Sequence, residues 1–136
     1  MIGIVVVAHG EMADGLLDAA RMIVGPQEGL LGLGLQEGDA VEGLLERVEQ
    51  AVAQVDTGDG ALLLVDLFGA SPFNACARLA MARKNAEVVS GVNLPMLLEV
   101  VTQREGLGLP EAVAIAREAG TSGIRTLSEV LGGNPD

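Results

Sequence analysis

The residues Ile2-Gly-Ile-Val-Val-Val-Ala8, followed by His9-Gly10, give the clearest indication of the fold class of this chain. Its residues are apolar at successive positions, which is typical of a parallel strand covered on both faces by helices. A second apolar run, Ala61–Val65, ends in Asp66 in the same way. Helical patterns separate such runs along the chain. The sequence therefore predicts an α/β domain with a mostly parallel central sheet, helices on both faces and a flavodoxin-like strand order.

Helix-start signals and apolar periodicity predict the remaining elements. Asp39 with Glu42 is interpreted as a capping box, and Ser71 with Pro72 as the N-cap and first residue of a later helix. The periodicity predicts helices over residues 12–24, 41–55, 73–84, 93–103 and 110–119, and strands over residues 30–35, 86–92 and 124–127.

Composition sets limits on the class of protein. With 136 residues, 49% of them hydrophobic but only two Phe and no Trp or Tyr, the chain predicts one domain with an aliphatic core. Its single cysteine, Cys76, excludes an intrachain disulfide, and with one histidine it excludes a Cys/His zinc cluster. We expect no metal and no cofactor. Because no apolar run is long enough to span a membrane and no secretory signal is recognisable, we expect a cytoplasmic protein.

The charge balance indicates the kind of partner. Nineteen acidic and eight basic residues give a net charge of −11, which disfavours nucleic acids and anionic membrane surfaces. It favours partners with basic surfaces, although negative charge also keeps a domain soluble.

The side chains expected to carry chemistry follow two strands that we predict to be neighbours. His9 and Asp66 both come where an apolar strand ends, which is the sheet edge where open α/β folds bind ligands. Ser71-Pro72 begins a helix just beyond Asp66, and a helix N-terminus binds anions. Each feature alone also has a structural explanation, such as a tight bend at Gly69. Together they predict histidine-based phosphoryl transfer.

Three motifs carry a resemblance to a known family: His9-Gly10 after the first strand, Val65-Asp-Leu-Phe-Gly-Ala-Ser-Pro-Phe-Asn74, and Gly91-Val-Asn-Leu-Pro-Met96. In order and spacing they resemble the enzyme IIA domain of the mannose family of the bacterial sugar phosphotransferase system. The resemblance covers essentially the whole chain. It predicts a single domain over residues 1–131 and a flexible tail over residues 132–136.

The resemblance implies a phosphorelay. His9 matches the histidine that accepts a phosphoryl group from the phosphocarrier HPr and passes it to a IIB domain or protein, for sugar uptake and phosphorylation. Asp66 matches the aspartate that orients this histidine. Gly69, Ala70 and Ser71 match the loop that binds the phosphoryl group.

The resemblance also implies surfaces for partners. A docking role is expected for Phe68, Asn93, Pro95 and Met96, although a helix start packed on the sheet explains the last three equally well. The family's last strand is antiparallel and exchanged within a homodimer, which would fall on residues 124–127. Contact with the membrane components IIC and IID is expected only through IIB.

Some questions stay open at this point. The chain has Ala8, Phe68 and Ala70 where family members often carry a hydroxyl residue, a bulkier aromatic and a second glycine. The sugar, the IIB partner and whether the chain is a stand-alone protein or part of a longer one are therefore left open. Alternative functions are a regulatory protein whose phosphorylation signals to a partner, the phosphoryl donor of a dihydroxyacetone kinase system, and a non-catalytic interaction module.

Overall fold

Four parallel strands form the central sheet of the computed structural model, which describes residues 1–132. The strands are β1 (Gly3–His9), β2 (Leu30–Leu35), β3 (Ala61–Val65) and β4 (Ala86–Ser90), in the spatial order β2-β1-β3-β4. This arrangement confirms the predicted parallel, flavodoxin-like sheet with the first strand inside it. The predicted tail lies, except for Gly132, outside the described residues.

Helices cover both faces of the sheet. They are α1 (Met12–Val24), α2 (Val41–Val55), α3 (Ser71–Met81), α4 (Leu94–Gln103), α5 (Leu109–Ser122) and α6 (Leu127–Val130), the last a single turn. Helices α1, α4 and α5 pack on one face of the sheet, and α2 and α3 pack on the other.

Alternation of side chains along β1 explains its unbroken apolar sequence. Ile4, Val6 and Ala8 are fully buried under α1, α4 and α5, whereas Val5 and Val7 are fully buried on the opposite face. Since both faces are covered, every position of the strand must be apolar until it leaves the sheet.

The amino ends of the strands are joined by Arg104, which is 1% exposed. Its Nη1 donates to the carbonyls of Ile2 and Gly29, at 3.0 and 2.9 Å, and its Nη2 donates to the carbonyl of Glu28. No carboxylate among residues 1–132 pairs with it. The guanidinium therefore links the chain before β1 to the chain before β2, at the edge of the sheet opposite to His9, by hydrogen bonds to backbone carbonyls.

Two predicted helix N-caps are corrected. Helix α2 begins after Ala40, and no side chain of the described residues caps it. The capping-box prediction is wrong because the Asp39 carboxylate instead accepts the Gln36 backbone N–H at 2.8 Å. Helix α3 has Ala70 as its N-cap, so Ser71 is already helical. Pro72 is therefore the second helical residue and not, as predicted, the first. Proline is tolerated at this position because the N–H groups of the first turn have no intrahelical acceptors.

The prediction of a strand over residues 124–127 is wrong for the single chain. Residues 124–126 are irregular and α6 follows them, with Thr126 Oγ1 accepting the Glu129 N–H at 3.4 Å. Thr126 and Glu129 have the spacing of a capping box, a helix signal that the sequence analysis missed. A strand is stable only on a ladder partner, and this segment has none among residues 1–132.

No helix within residues 1–132 has both the length and the apolar character needed to cross a membrane.

Candidate functional site

His9 and Asp66 meet at the carboxyl edge of the sheet. The register pairs Val7 of β1 with Val65 of β3, so the two strands end nearly level. Asp66 Oδ2 lies 2.7 Å from His9 Nδ1 and accepts the His9 backbone N–H at 2.9 Å. One carboxylate oxygen therefore holds both the backbone and the ring of His9.

The surroundings of Asp66 keep its carboxyl ionised. Its side chain is 13% exposed, and burial by itself raises the pKa of the carboxyl. The hydrogen bonds from the His9 backbone and ring, with the charge of a protonated ring, outweigh burial and bring the pKa of Asp66 below its ordinary value of 3.8. A charged carboxylate facing Nδ1 favours the tautomer that carries its proton there.

The ring of His9 is accessible from outside. Its side chain is 50% exposed, and Nε2 has no hydrogen-bond partner among residues 1–132. His9, Gly10 and residues 35–39 line an open cleft of about 840 Å³. Nε2 in the Nδ1–H tautomer carries a lone pair, so this nitrogen can act as a nucleophile towards a group brought to the cleft.

The loop after Asp66 presents backbone donors. Leu67 to Ala70 form a turn with Gly69 at a φ of +84°, the position of a type II turn that requires glycine. Ala70 N–H lies 3.5 Å from Leu67 O, while the N–H groups of Ser71 and Phe73 have no partner among residues 1–132. With the positive end of the α3 dipole, these donors suit an anion.

The predicted docking residues differ in their surroundings. Phe68 is 73% exposed, and its ring lies 4.4 Å from that of Phe73. Met96, by contrast, is 4% exposed. Asn93 caps α4 by accepting the Met96 N–H at 3.0 Å, and its Nδ2 donates to Gly120 O at 3.0 Å. Pro95 lies against Gly123. For Asn93, Pro95 and Met96 the geometry favours the packing explanation.

Two further residues near the site were missed by the sequence analysis. Asn74, the last residue of the Val65–Asn74 motif, donates from Nδ2 to the carbonyl of Gly69 at 3.3 Å. Gly34 lies directly under the carbonyl of Gly10. The signal for Gly34 was present, because a glycine inside a strand often marks the close approach of another backbone.

Comparison with known proteins gives consistent matches. Residues 3–117 match the family model EIIA-man, described as "PTS system fructose IIA component". The chain is 30% identical over 131 residues to the fructose-specific EIIA component of Bacillus subtilis, covering 96% of this chain and 90% of that protein. It is 39% identical over 127 residues to the mannose-specific EIIAB component of Escherichia coli strain K12.

The matches differ in how much of each relative the chain covers. The alignment to the E. coli protein covers 93% of this chain but 39% of that protein, so the chain spans about two fifths of this relative's length. Among solved structures, the phosphotransferase system component EIIA of Streptococcus agalactiae superposes with a TM-score of 0.87 at 30% identity. That match covers 95% of this chain and 99% of the streptococcal chain.

Proposed function

The chain belongs to the EIIA-man family of phosphotransferase-system IIA components, and we propose that it relays a phosphoryl group through His9. The observation that carries the proposal is the 2.7 Å contact between His9 Nδ1 and Asp66 Oδ2. A carboxylate that holds one imidazole nitrogen fixes the tautomer and leaves the other nitrogen free to react. The donor is HPr phosphorylated on histidine, and the acceptor is a IIB domain or protein.

Transfer begins with the lone pair of Nε2. It attacks the phosphorus of the donor's phosphohistidine, a new bond forms between Nε2 and phosphorus, and the old phosphorus–nitrogen bond breaks. The electron pair of that bond returns to the donor's ring nitrogen. No proton leaves Nε2, because the ring proton of His9 is on Nδ1. The positive charge that develops on the ring is balanced by Asp66 at 2.7 Å.

Gly69, Ala70 and Ser71 complete the site in this proposal. The N–H groups at the start of α3, above all that of Ser71, hold the phosphoryl oxygens while charge spreads over them. Because Ser71 is a helical residue and not the N-cap, its hydroxyl is not used to cap α3. Transfer to IIB is the same reaction in reverse, with Nε2 as the leaving nitrogen.

Docking uses the loop that follows Asp66. Leu67 and Phe68 of this loop supply apolar contacts, since 61% and 73% of their surface is exposed. The net charge of −11 attracts partners with a basic face and speeds their encounter. Relatives are named for mannose, fructose and sorbose, so we place this chain in a relay to a sugar without choosing among them.

A homodimer is the second part of the proposal. β4 is an edge strand of the sheet, and an unpaired edge invites a further strand. Grooves of about 580 and 370 Å³ flank this edge, one towards α5 and one towards α3. Ile124 and Leu127 are 78% and 74% exposed. We infer that residues 124–127 pair antiparallel with β4 of a second copy, where these apolar side chains become buried.

The proposal is tested by phosphorylation in a purified system. The chain is incubated with phosphoenolpyruvate, enzyme I and HPr, and its intact mass is measured. We expect a gain of one phosphate that is lost in acid, as a phosphorus–nitrogen bond requires. The gain should be absent in His9→Ala, with a folded circular-dichroism spectrum as control. Uptake by His9→Ala at the parent rate would refute the assignment of His9. A IIB protein is then added to the phosphorylated chain. Loss of the phosphoryl group from His9 to IIB indicates a relay, whereas retention of the phosphoryl group indicates a signalling protein.

A further inference from the structure

The residue that follows His9 rests on β2. Gly10 N–H donates to the carbonyl of Leu35 at 2.8 Å, and Gly10 has a φ of +58°. Its carbonyl oxygen then lies over Gly34, where a Cβ atom would come within 2.2 Å of it. Any side chain at position 34 would have to push this carbonyl away, since real Cβ contacts are essentially never closer than 3.0 Å.

Two side chains converge on the same contact. Gln36 Nε2 donates to Gly10 O at 3.4 Å and would lie 3.1 Å from a Cβ at position 34. Arg47 Nη1 donates to the carbonyl of Gly34 at 3.1 Å. The His9–Gly10 segment is thus held between two strands, by Asp66 after β3 and by the end of β2.

Gly32 lies two residues earlier in β2 and differs from Gly34 in what it faces. The three atoms nearest to a Cβ there are side-chain atoms of α1: Asp14 Oδ1 at 3.1 Å, Leu17 Cδ2 at 3.3 Å and Ala13 Cβ at 3.4 Å, the last an ordinary van der Waals contact. None of the three belongs to the His9–Gly10 segment. Side chains can turn aside by a few tenths of an ångström, whereas the backbone of Gly10 cannot move without moving His9.

We propose that Gly34 is a positioning residue for phosphoryl transfer by His9. The absence of a side chain at this position allows Gly10 to rest on β2, and that contact sets the imidazole against Asp66. The inference rests on the proposed function of His9. A methyl group at position 34 displaces the Gly10 carbonyl and lengthens the contact between His9 Nδ1 and Asp66 Oδ2. A misplacement of about 1 Å in a reacting group lowers a rate by up to about 100-fold.

The test compares Gly34→Ala with Gly32→Ala, the same substitution in the same strand. His9 is the only histidine in the chain, so its ring ¹⁵N signals need no assignment. These signals report how the proton of the neutral ring is divided between Nδ1 and Nε2. We expect the parent and Gly32→Ala to hold it on Nδ1, and Gly34→Ala to distribute it over both nitrogens. The rate of phosphoryl uptake from HPr, per folded molecule, should fall at least about tenfold in Gly34→Ala alone.

Each outcome has a defined meaning. An unchanged tautomer and rate in Gly34→Ala would overturn the inference while leaving the proposed function intact. If the parent takes up no phosphoryl group, the proposed function fails, but the tautomer comparison still decides the positioning role of Gly34. If Gly34→Ala does not fold, Gln36→Ala decides, because it removes a contact to Gly10 without adding atoms. A shifted tautomer in Gln36→Ala supports the inference, and an unchanged one overturns it.

Discussion

Asp66 Oδ2 accepts two hydrogen bonds from His9, one from the ring Nδ1 at 2.7 Å and one from the backbone N–H at 2.9 Å. The two bonds restrict different parts of the residue. The backbone bond determines where His9 leaves the sheet, and the ring bond determines which nitrogen faces the cleft. A single carboxylate thereby fixes the position and the tautomer of the imidazole before any partner binds. This preorganisation lowers the entropic cost of phosphoryl transfer.

Replacing Asp66 with Asn tests whether the carboxylate preorganises the His9 ring. The amide has nearly the same shape but no charge, so it neither holds the Nδ1–H tautomer nor balances the developing ring charge. We expect the single-turnover rate of phosphoryl uptake to fall by about 10²–10⁴-fold, with HPr binding retained. Rapid-quench kinetics measures the rate. Asp59→Asn, an exposed carboxylate at the opposite edge of the sheet, is the matched control. Equal rates in both variants would contradict the role of Asp66.

The lowered pKa of Asp66 predicts how stability depends on pH. A carboxyl whose pKa is lower in the folded than in the unfolded chain stabilises the fold above its unfolded pKa. That contribution is lost as pH falls through the folded pKa, which for Asp66 lies below 3.8. We therefore expect the advantage of the parent over Asp66→Asn in unfolding free energy to shrink as pH falls below this value. Urea titrations across the acid range measure the difference, and a difference that grows with acid would refute the prediction.

Asn74 is expected to affect transfer more than stability. Its Nδ2 donates to the carbonyl of Gly69, which orients the loop before α3. In Asn74→Asp the donor is lost, yet a carboxylate in the first turn suits the helix dipole and preserves thermal stability. We expect Tm to be kept or raised while phosphoryl uptake slows severalfold.

Asn74→Ala separates loss of the donor from added charge, and Arg78→Ala, one turn further along the same helix, serves as control. If uptake by Asn74→Ala equals that of Arg78→Ala, the bond to Gly69 has no part in transfer.

Arg104 is expected to matter for stability alone. Arg104→Met fills much of the same volume but removes the guanidinium donor from the buried carbonyl of Ile2 and from the part-buried carbonyls of Glu28 and Gly29. The Gly29 carbonyl keeps the Ile4 N–H at 2.9 Å. An unsatisfied buried acceptor costs about 1–3 kcal/mol and the part-buried carbonyls add less, so we expect a total loss of about 2–4 kcal/mol. Denaturant unfolding measures it, with exposed Arg117→Met as control. Uptake per folded molecule should not change, because Arg104 is at the sheet edge opposite to His9.

Thr126→Pro tests the exchanged strand. Proline removes a backbone donor from a strand ladder but is tolerated at the start of a helix, where Thr126 now lies. We expect sedimentation equilibrium to give a dimer for the parent and for Thr126→Ala, and a monomer for Thr126→Pro. A parent that is monomeric at all concentrations would exclude the proposed dimer.

Local patterns were sufficient for most of the fold. The predicted bounds of α1, α2, β2 and β3 agree with the structure, because each is a regular apolar pattern ended by glycine, a charged residue or a turn. Prediction failed where another contact of the folded chain replaced the one that the local pattern indicated. Asp39 has the spacing of a capping box with Glu42, but its carboxylate accepts the Gln36 backbone N–H instead. The segment 124–127 has a strand-like composition but no strand to pair with in the part of the chain that the structure describes, residues 1–132.

The α/β architecture, the strand ends at which His9 and Asp66 lie, and the family of the motifs could all be predicted from the order of the residues. These properties depend on periodicity and residue type, which are local in the chain. Two contacts at the site appear only in the folded chain: one oxygen of Asp66 accepts two hydrogen bonds from His9, and the Gly10 carbonyl packs on Gly34. Those contacts join residues 57 and 24 positions apart, and their distances follow from strand register and close packing, which no local pattern encodes.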